Sequence, residues 1–273
     1  MRIGFIGAGN MAGAIVRGGI ASGRLRAEDI LLVSGPDPSA QALAADTGAR
    51  VAGSSADLVA DSDVVVLAVK PQVVPTVLAE IHGAVAQWNP LVISVAAGLS
   101  TFRLESLLPA GTRVVRTMPN IAAMVGQAMT ALAPGASATR EDLATASTLM
   151  GSVGATTELD ESLFSTFTAI SGSSPAFVLT FIEALARAGV LGGIPKAQAV
   201  EIVTQVVAGS AAILQAEAAA DGTHRTPADL IDTICSPAGT TVAGVMAMER
   251  AGFSDAIVRG AEAAATRDRE LGA

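Results

Sequence analysis

The stretch Arg2-Ile3-Gly4-Phe5-Ile6-Gly7-Ala8-Gly9-Asn10-Met11-Ala12-Gly13 decides the fold. Arg2–Ile6 is a short apolar run. Gly7, Gly9 and Ala12 fit G-x-G-x-x-A, and Asn10–Ser22 follows with helical spacing. Alone the pattern is common; between a strand and a helix it reads as the phosphate-binding turn of a dinucleotide fold. Gly7 permits the tight turn, Gly9 lets the backbone approach a pyrophosphate, and Ala12 lets helix and strand close together. The free N–H groups and positive end of the helix then face the phosphates.

Outward from this turn, strand and helix alternate. Ile30–Val33, Val64–Val69, Leu91–Val95 and Arg113–Val115 are further short apolar runs, and Gly35-Pro36-Asp37-Pro38 breaks the second from a helical segment. Continuous apolar strands separated by helices predict a parallel sheet covered on both faces, with right-handed crossovers. From Leu159–Glu161 onward helical spacing takes over: Glu161–Ile170, Pro175–Leu191, Lys196–Ala219, Pro227–Ile234, Gly239–Arg250 and Ser254–Leu271. The expected architecture is an α/β Rossmann-type dinucleotide-binding domain over residues 1–160 and an all-α domain over 161–273. Lys196–Ala219 carries only Lys196, Glu201 and Glu217 as charges. A helix so poor in polar surface is expected to be buried against a second subunit, which makes the helical domain a dimerisation domain.

Composition narrows the function. Hydrophobic residues make up 51% and charged residues 15% of the 273 residues, enough apolar content for a packed core and against disorder. The net charge of −8 disfavours nucleic acid as a partner. The single cysteine, Cys235, excludes an internal disulfide and any cysteine-based metal cluster. His82 and His224 are the only histidines and stand at no ligand-like spacing, so no metal is expected; His82 reads as a surface helix residue. The longest uncharged stretches, Ile81–Phe102 and Met118–Thr139, are broken by proline and glycine, so no membrane span is expected. No charged leader with a cleavable apolar core precedes the first strand, and a cytoplasmic location is the expectation.

The end of the second strand bears on the cofactor. Leu31-Leu32-Val33-Ser34-Gly35 has no carboxylate where an NAD site holds the ribose hydroxyls, which points to NADPH ahead of NADH. Asp37 nearby, and the absence of an arginine from that loop, leave NADH open. Lys70-Pro71 ends the Val64–Val69 strand at its carboxyl end, the edge at which such sheets bind ligands, and Arg116-Thr117-Met118-Pro119-Asn120 ends a later strand there. Pro119 and Asn120 are placed to shape a nicotinamide pocket. Two clusters, Ser171-Gly172-Ser173-Ser174-Pro175 and Cys235-Ser236-Pro237-Ala238-Gly239-Thr240-Thr241, each precede a helix. Their hydroxyls and free N–H groups suit a small carboxylate, while plain helix capping is the alternative.

These residues together resemble the pyrroline-5-carboxylate reductase family. The most specific part is Pro227–Glu249, with Pro-Ala-Asp-Leu, then Ile-Cys-Ser-Pro-Ala-Gly-Thr-Thr, Gly244-Val245 and Met248-Glu249; Ala68-Val69-Lys70-Pro71, Met118-Pro119-Asn120 and Ser171-Gly172-Ser173 match in order. The resemblance implies hydride transfer from NADPH to the C=N carbon of pyrroline-5-carboxylate, yielding proline. It implies that Ser236, Gly239, Thr240 and Thr241 hold the substrate carboxylate, with Ser171 also at the substrate. Thr241 would lie near the ring nitrogen and Thr168 near the imine, as the catalytic pair. Ile6, Gly7, Ala8, Gly9, Asn10, Met11, Ser34, Ser55, Ala68, Val69, Lys70 and Pro71 would bind the cofactor. The family forms an intertwined homodimer, often built further into a decamer, with the active site between one subunit's nucleotide domain and helices of the pair. The chain departs from the common pattern at Ile121-Ala122 (usually Thr-Pro), at Ser174 and Ala238 (often Gly), at Ser55 (often Asn), and at His224-Arg225-Thr226 (usually Glu-His-Pro before its proline). A β-hydroxyacid dehydrogenase shares the two-domain plan but needs a catalytic lysine in its helical domain. Lys196, the only lysine beyond Lys70, lacks an asparagine four residues on, where Val200 stands. A non-catalytic dinucleotide-binding protein is the third reading, disfavoured by the intact Ser-Pro-Ala-Gly-Thr-Thr string.

Overall fold

A computed structural model describes residues 1–219 and 225–272. Its first compact unit comprises Met1–Gly172 with the chain from Ala263 onward, and the second comprises Ser173–Glu262.

The first unit is built on one eight-stranded sheet: β1 Ile3–Ile6, β2 Ile30–Val33, β3 Arg50–Val51, β4 Val64–Leu67, β5 Leu91–Ser94, β6 Val114–Met118, β7 Ala128–Pro134 and β8 Gly154–Glu158. The spatial order is β3-β2-β1-β4-β5-β6-β7-β8. All neighbours pair parallel except β6 with β7. β1 sits between β2 and β4, so the order reverses at β1 and opens a crevice beyond its carboxyl end. The helices of this unit are α1 Asn10–Ala21, α2 Ser39–Thr47, α3 Ser55–Ala60, α4 Val74–Trp88, α5 Thr101–Glu105, α6 Arg140–Met150 and α7 Phe164–Phe167. One cluster of buried residues joins Phe5, Leu32 and Val66 of the strands to Ile15 of α1 and Leu149 of α6. Another joins Val65 and Val92 to Leu58 of α3 and Leu78 and Ile81 of α4. The near-continuous apolar strands thus bury both faces of the sheet, as expected of parallel strands under helices.

The predicted strands are present, β4 ending at Leu67 so that Ala68 and Val69 fall in the loop beyond it. Three further strands were not legible. β3 is two exposed residues, and β7 (Ala-Met-Thr-Ala-Leu-Ala-Pro) and β8 (Gly-Ala-Thr-Thr-Glu) are poor in β-branched apolar residues. β7 is held by its place beside β6, where Met118 pairs with Ala131.

The second unit is helical throughout its described residues: α8 Ser174–Leu191, α9 Lys196–Ala219, α10 Pro227–Ile234, α11 Thr240–Arg250 and the first half of α12 Phe253–Gly272. Its core is small: Ala186 of α8 packs on Ala199 and Val203 of α9. Large apolar side chains stay exposed along these helices, among them Leu179, Val206, Ile213 and Ile234. Glu161–Leu191 and Lys196–Glu217 are long and apolar enough to cross a membrane, with 6% and 11% of their most apolar windows buried. Helices with so much uncovered apolar surface need another surface to bury it. Residues 161–172, at the head of the expected helical domain, group with the first unit.

Candidate active site

The phosphate turn leaves β1 because its backbone is fixed on both sides. Gly7 N–H donates to Val33 O, and Ala68 N–H donates to Ile6 O, each at 2.8 Å. Gly7 has φ +100°, and a Cβ there would lie 2.5 Å from Ala68 O. Gly9 is the N-cap of α1 with no side-chain cap, and a Cβ built on it meets no atom within 4 Å. The absent side chain leaves open space beside the uncapped start of α1, an arrangement suited to a phosphate.

Beside the turn is a cavity of about 430 Å³. Ile6, Gly7, Ser34, Ser55 and Val69 line it, five of the twelve residues expected to bind cofactor. Ala8, Gly9, Asn10 and Met11 continue the turn into α1. Ala68 adjoins Val69, and Lys70 is the exposed N-cap of a 3₁₀ turn that opens with Pro71. Thr76 and Glu80 of α4 also line the cavity and escaped the sequence reading. Their spacing of four on a helix just after Lys70-Pro71 was the available signal. Glu80 is the only formally charged residue lining the cavity. Ser34 Oγ donates to Asp37 O (2.9 Å) and accepts from Ala40 N–H (3.3 Å), closing the loop onto α2. The hydroxyl and amide of Ser39 hold the Asp37 carboxyl below the usual aspartate range. A dinucleotide fits this set of residues: a glycine turn, an uncapped helix end and an adjoining crevice at the switch point of the sheet.

Thr168 and Ser171 lie together in a π-helical turn, Thr168–Ser173, continuous with α7 and α8. Such wide turns interrupt α-helices, frequently at functional sites. Thr168 Oγ1 donates to Phe164 O at 2.9 Å. Ser171 is buried; its Oγ donates to Met129 O (3.4 Å) and accepts from Asn120 Nδ2 (3.2 Å), so the hydroxyl is committed within the protein. Arg116, also buried, pairs with Glu161 at 2.9 Å and stacks 4.4 Å above the Phe164 ring.

In the second unit, Ser236–Thr241 forms the turn from α10 into α11. Ala238 takes φ +59°, and Gly239 N–H donates to Ser236 O at 3.0 Å. Gly239 is the N-cap of α11 without a side-chain cap. Thr240 and Thr241 open the helix as exposed residues. Gly239 has no side chain with which to cap α11, and the N-cap of α8, Ser173, makes no side-chain cap. His224 lies outside the described residues, and His82 is an exposed residue of α4.

A glycine turn at the switch point of a parallel sheet, followed by a helical unit with an open, hydroxyl-rich helix start, defines a two-domain nucleotide-dependent oxidoreductase. Comparison with known proteins sharpens this. Residues 161–271 match the family described as pyrroline-5-carboxylate reductase dimerisation, and residues 2–98 match the one described as NADP oxidoreductase coenzyme F420-dependent. A pyrroline-5-carboxylate reductase of Methanosarcina acetivorans is 41% identical, over 99% of this chain and 98% of its own length. The solved structure of the Coxiella burnetii pyrroline-5-carboxylate reductase superposes with a TM-score of 0.92 at 30% identity, covering 99% of this chain and 98% of that one. That of the Plasmodium falciparum pyrroline carboxylate reductase with NADP bound gives 0.85 at 27% identity, covering 100% and 98%. The chain belongs to the pyrroline-5-carboxylate reductase family.

Proposed function

We propose that this protein reduces the C=N bond of pyrroline-5-carboxylate to give L-proline, the last step of proline biosynthesis, with NADPH ahead of NADH as reductant. The observation that carries this reading, given the family, is the open start of α11: a Ser-Pro-Ala-Gly-Thr-Thr turn whose helix end no side chain caps.

The turn residues Gly7–Met11 hold the pyrophosphate on the N–H groups of α1. Ser34, Ser55 and the Ala68–Pro71 loop hold the adenosine and ribose side. The reduced nicotinamide, when bound, supplies the hydride. The chain's own groups do the rest. The N–H groups and hydroxyls of Ser236, Gly239, Thr240 and Thr241 bind the substrate carboxylate, favoured by the positive end of α11. The Thr241 hydroxyl orients the ring nitrogen, and Thr168 borders the imine. A protonated imine is already electrophilic, so its reduced nitrogen emerges as a neutral amine without a strong acid from the protein. The protein's contribution is orientation and charge stabilisation. The missing carboxylate at the end of β2 supports NADPH; Glu80 in the cavity, with no cation lining it, keeps NADH in contention.

The uncovered apolar faces of α8 and α9 support a second copy of this chain as their occupant. The assembly is then a homodimer, with further association to a decamer as the family's larger form. A cytoplasmic location is part of the same proposal.

Thr241→Val tests the substrate end. It keeps the shape and removes a hydroxyl whose bond to a charged group is worth roughly 1.5–3 kcal/mol, so kcat/KM is expected to fall by roughly 10- to 150-fold. Cofactor affinity should hold. A variant with normal kcat/KM would show that Thr241 does not touch the substrate.

A further inference from the structure

The geometry points to Asn120 as a positioning residue that holds the π-helical turn Thr168–Ser173 in register with the cofactor edge of the sheet. This rests on the reading of that turn as a wall of the imine site.

Residues 116–120 and 161–171 run alongside one another. Four residues of extended chain advance about 13 Å, and ten residues of helical chain about 15 Å. Alternate residues of the first segment grip successive turns of the second. Arg116 takes Glu161 and the Phe164 ring. Met118 packs with Phe164 and Phe167. Asn120, just past the end of β6, takes Ser171: its Nδ2 donates to both Ser171 O and Ser171 Oγ at 3.2 Å.

The other half of the same amide reaches the cofactor side. Asn120 Oδ1 accepts from Ala122 N–H at 3.2 Å and so caps the 3₁₀ turn Ile121–Val125, which packs on α1, the helix of the phosphate turn. One short side chain therefore joins the element that carries the phosphate turn to the one that carries Thr168. An amide meets both needs from one short side chain: Ser171 O demands a donor, and Ala122 N–H demands an acceptor. The two demands also fix which way the amide points. A π turn is a wide, weakly held piece of helix, so a clamp on its carbonyl sets where Thr168 stands. Misplacement of a reacting group by about 1 Å costs on the order of 100-fold in rate.

Asn120→Asp is the discriminating variant. Its carboxylate still accepts from Ala122 N–H, and the Ser171 hydroxyl can turn to donate to it, but it faces the Ser171 carbonyl, which only accepts. The charged groups on the elements packed there include Arg116 and Glu161, paired with each other, and Arg17 of α1, which borders Ala123 and Met124 of the 3₁₀ turn and pairs with Asp46. At pH 8 we expect kcat to fall roughly 10- to 100-fold with dinucleotide Kd unchanged, and amides 168–173 to exchange faster than in the wild type. On acidification toward pH 4, close to the ordinary aspartate pKa of about 3.9, protonation of part of the introduced carboxyl restores a donor, and the variant-to-wild-type ratios of both kcat and exchange begin to recover. Asn120→Ala, which removes the donor for good, should show the loss without the recovery. Unchanged kcat, unchanged exchange at 168–173, a loss explained by weaker dinucleotide binding, or a deficit in Asn120→Asp that is the same at every pH would each overturn the proposal. Should the wild type fail to reduce the imine, the functional reading falls, and the exchange measurement still decides whether Asn120 clamps the turn.

Discussion

Gly7 and Gly9 stand two residues apart and are glycine for different physical reasons. Gly7 combines a positive φ with backbone contact: a Cβ would strike Ala68 O at 2.5 Å. Gly7→Ala is therefore a fold defect, expected to cost about 1–3 kcal/mol and to lower Tm even without cofactor. Gly9 has an ordinary φ of −74° and empty space around its absent side chain. Gly9→Val should leave the Tm of the free protein unchanged and abolish dinucleotide binding by titration. Swapped phenotypes would mean that the turn is not the phosphate site. Both glycines were legible, because the spacing Gly-x-Gly-x-x-Ala after an apolar run admits few structures. Asn120 with Ser171, and Arg116 with Glu161, were not. These partners lie 51 and 45 residues apart, and nothing in the local sequence of either announces the other. Ser34 shows a subtler limit. It was readable as a residue at the cofactor edge, but its hydroxyl also closes the loop onto α2.

Elements were most legible where their periodicity was long. The helices of the second unit fell close to their expected bounds, because apolar spacing persists over several turns in each. β7 and β8 were hidden because position beside β6, rather than strand propensity, makes them strands. Helix α10 leads into the Ser236–Thr241 turn and is held at its start by reciprocal bonds. Thr226 N–H and Oγ1 both donate to Asp229 Oδ2 at 2.7 Å, and Asp229 N–H donates to Thr226 Oγ1 at 3.3 Å. These bonds hold the Asp229 carboxyl below the usual aspartate range. Since the folded value is the depressed one, the stabilisation is complete above the ordinary aspartate pKa of about 3.9 and is lost as pH falls below it. Asp229→Asn should lower Tm at pH 7, and the difference from wild type should shrink as both are taken below pH 3; a difference independent of pH would assign the effect to packing. Helix α9 is the proposed centre of the assembly. Ile213 is 51% exposed in the single chain. Ile213→Asp should shift sedimentation from the assembled species toward monomer, and an unchanged profile would remove α9 from the interface.

At the scale of the molecule, two compact units divide the work: a parallel sheet with a glycine turn and crevice at its switch point, and a helical unit with an uncapped helix start rich in hydroxyls. The family boundary at residue 161 and the packing boundary after Gly172 differ because the segment between them lies along β6 and β7 while opening the helical run. That segment carries Thr168 and Ser171, the residues proposed to lie at the imine side, and it packs against the sheet that presents the glycine turn. The arrangement is proposed to perform one reaction, which can be followed directly. The direct measurement follows the absorbance of NADPH and, in parallel, NADH on addition of pyrroline-5-carboxylate, with proline quantified at the end point. The expected result is oxidation of the reduced cofactor in equal amount with proline formed, at a higher kcat/KM for NADPH than for NADH. Binding of both dinucleotides without oxidation of either in the presence of the imine would contradict it.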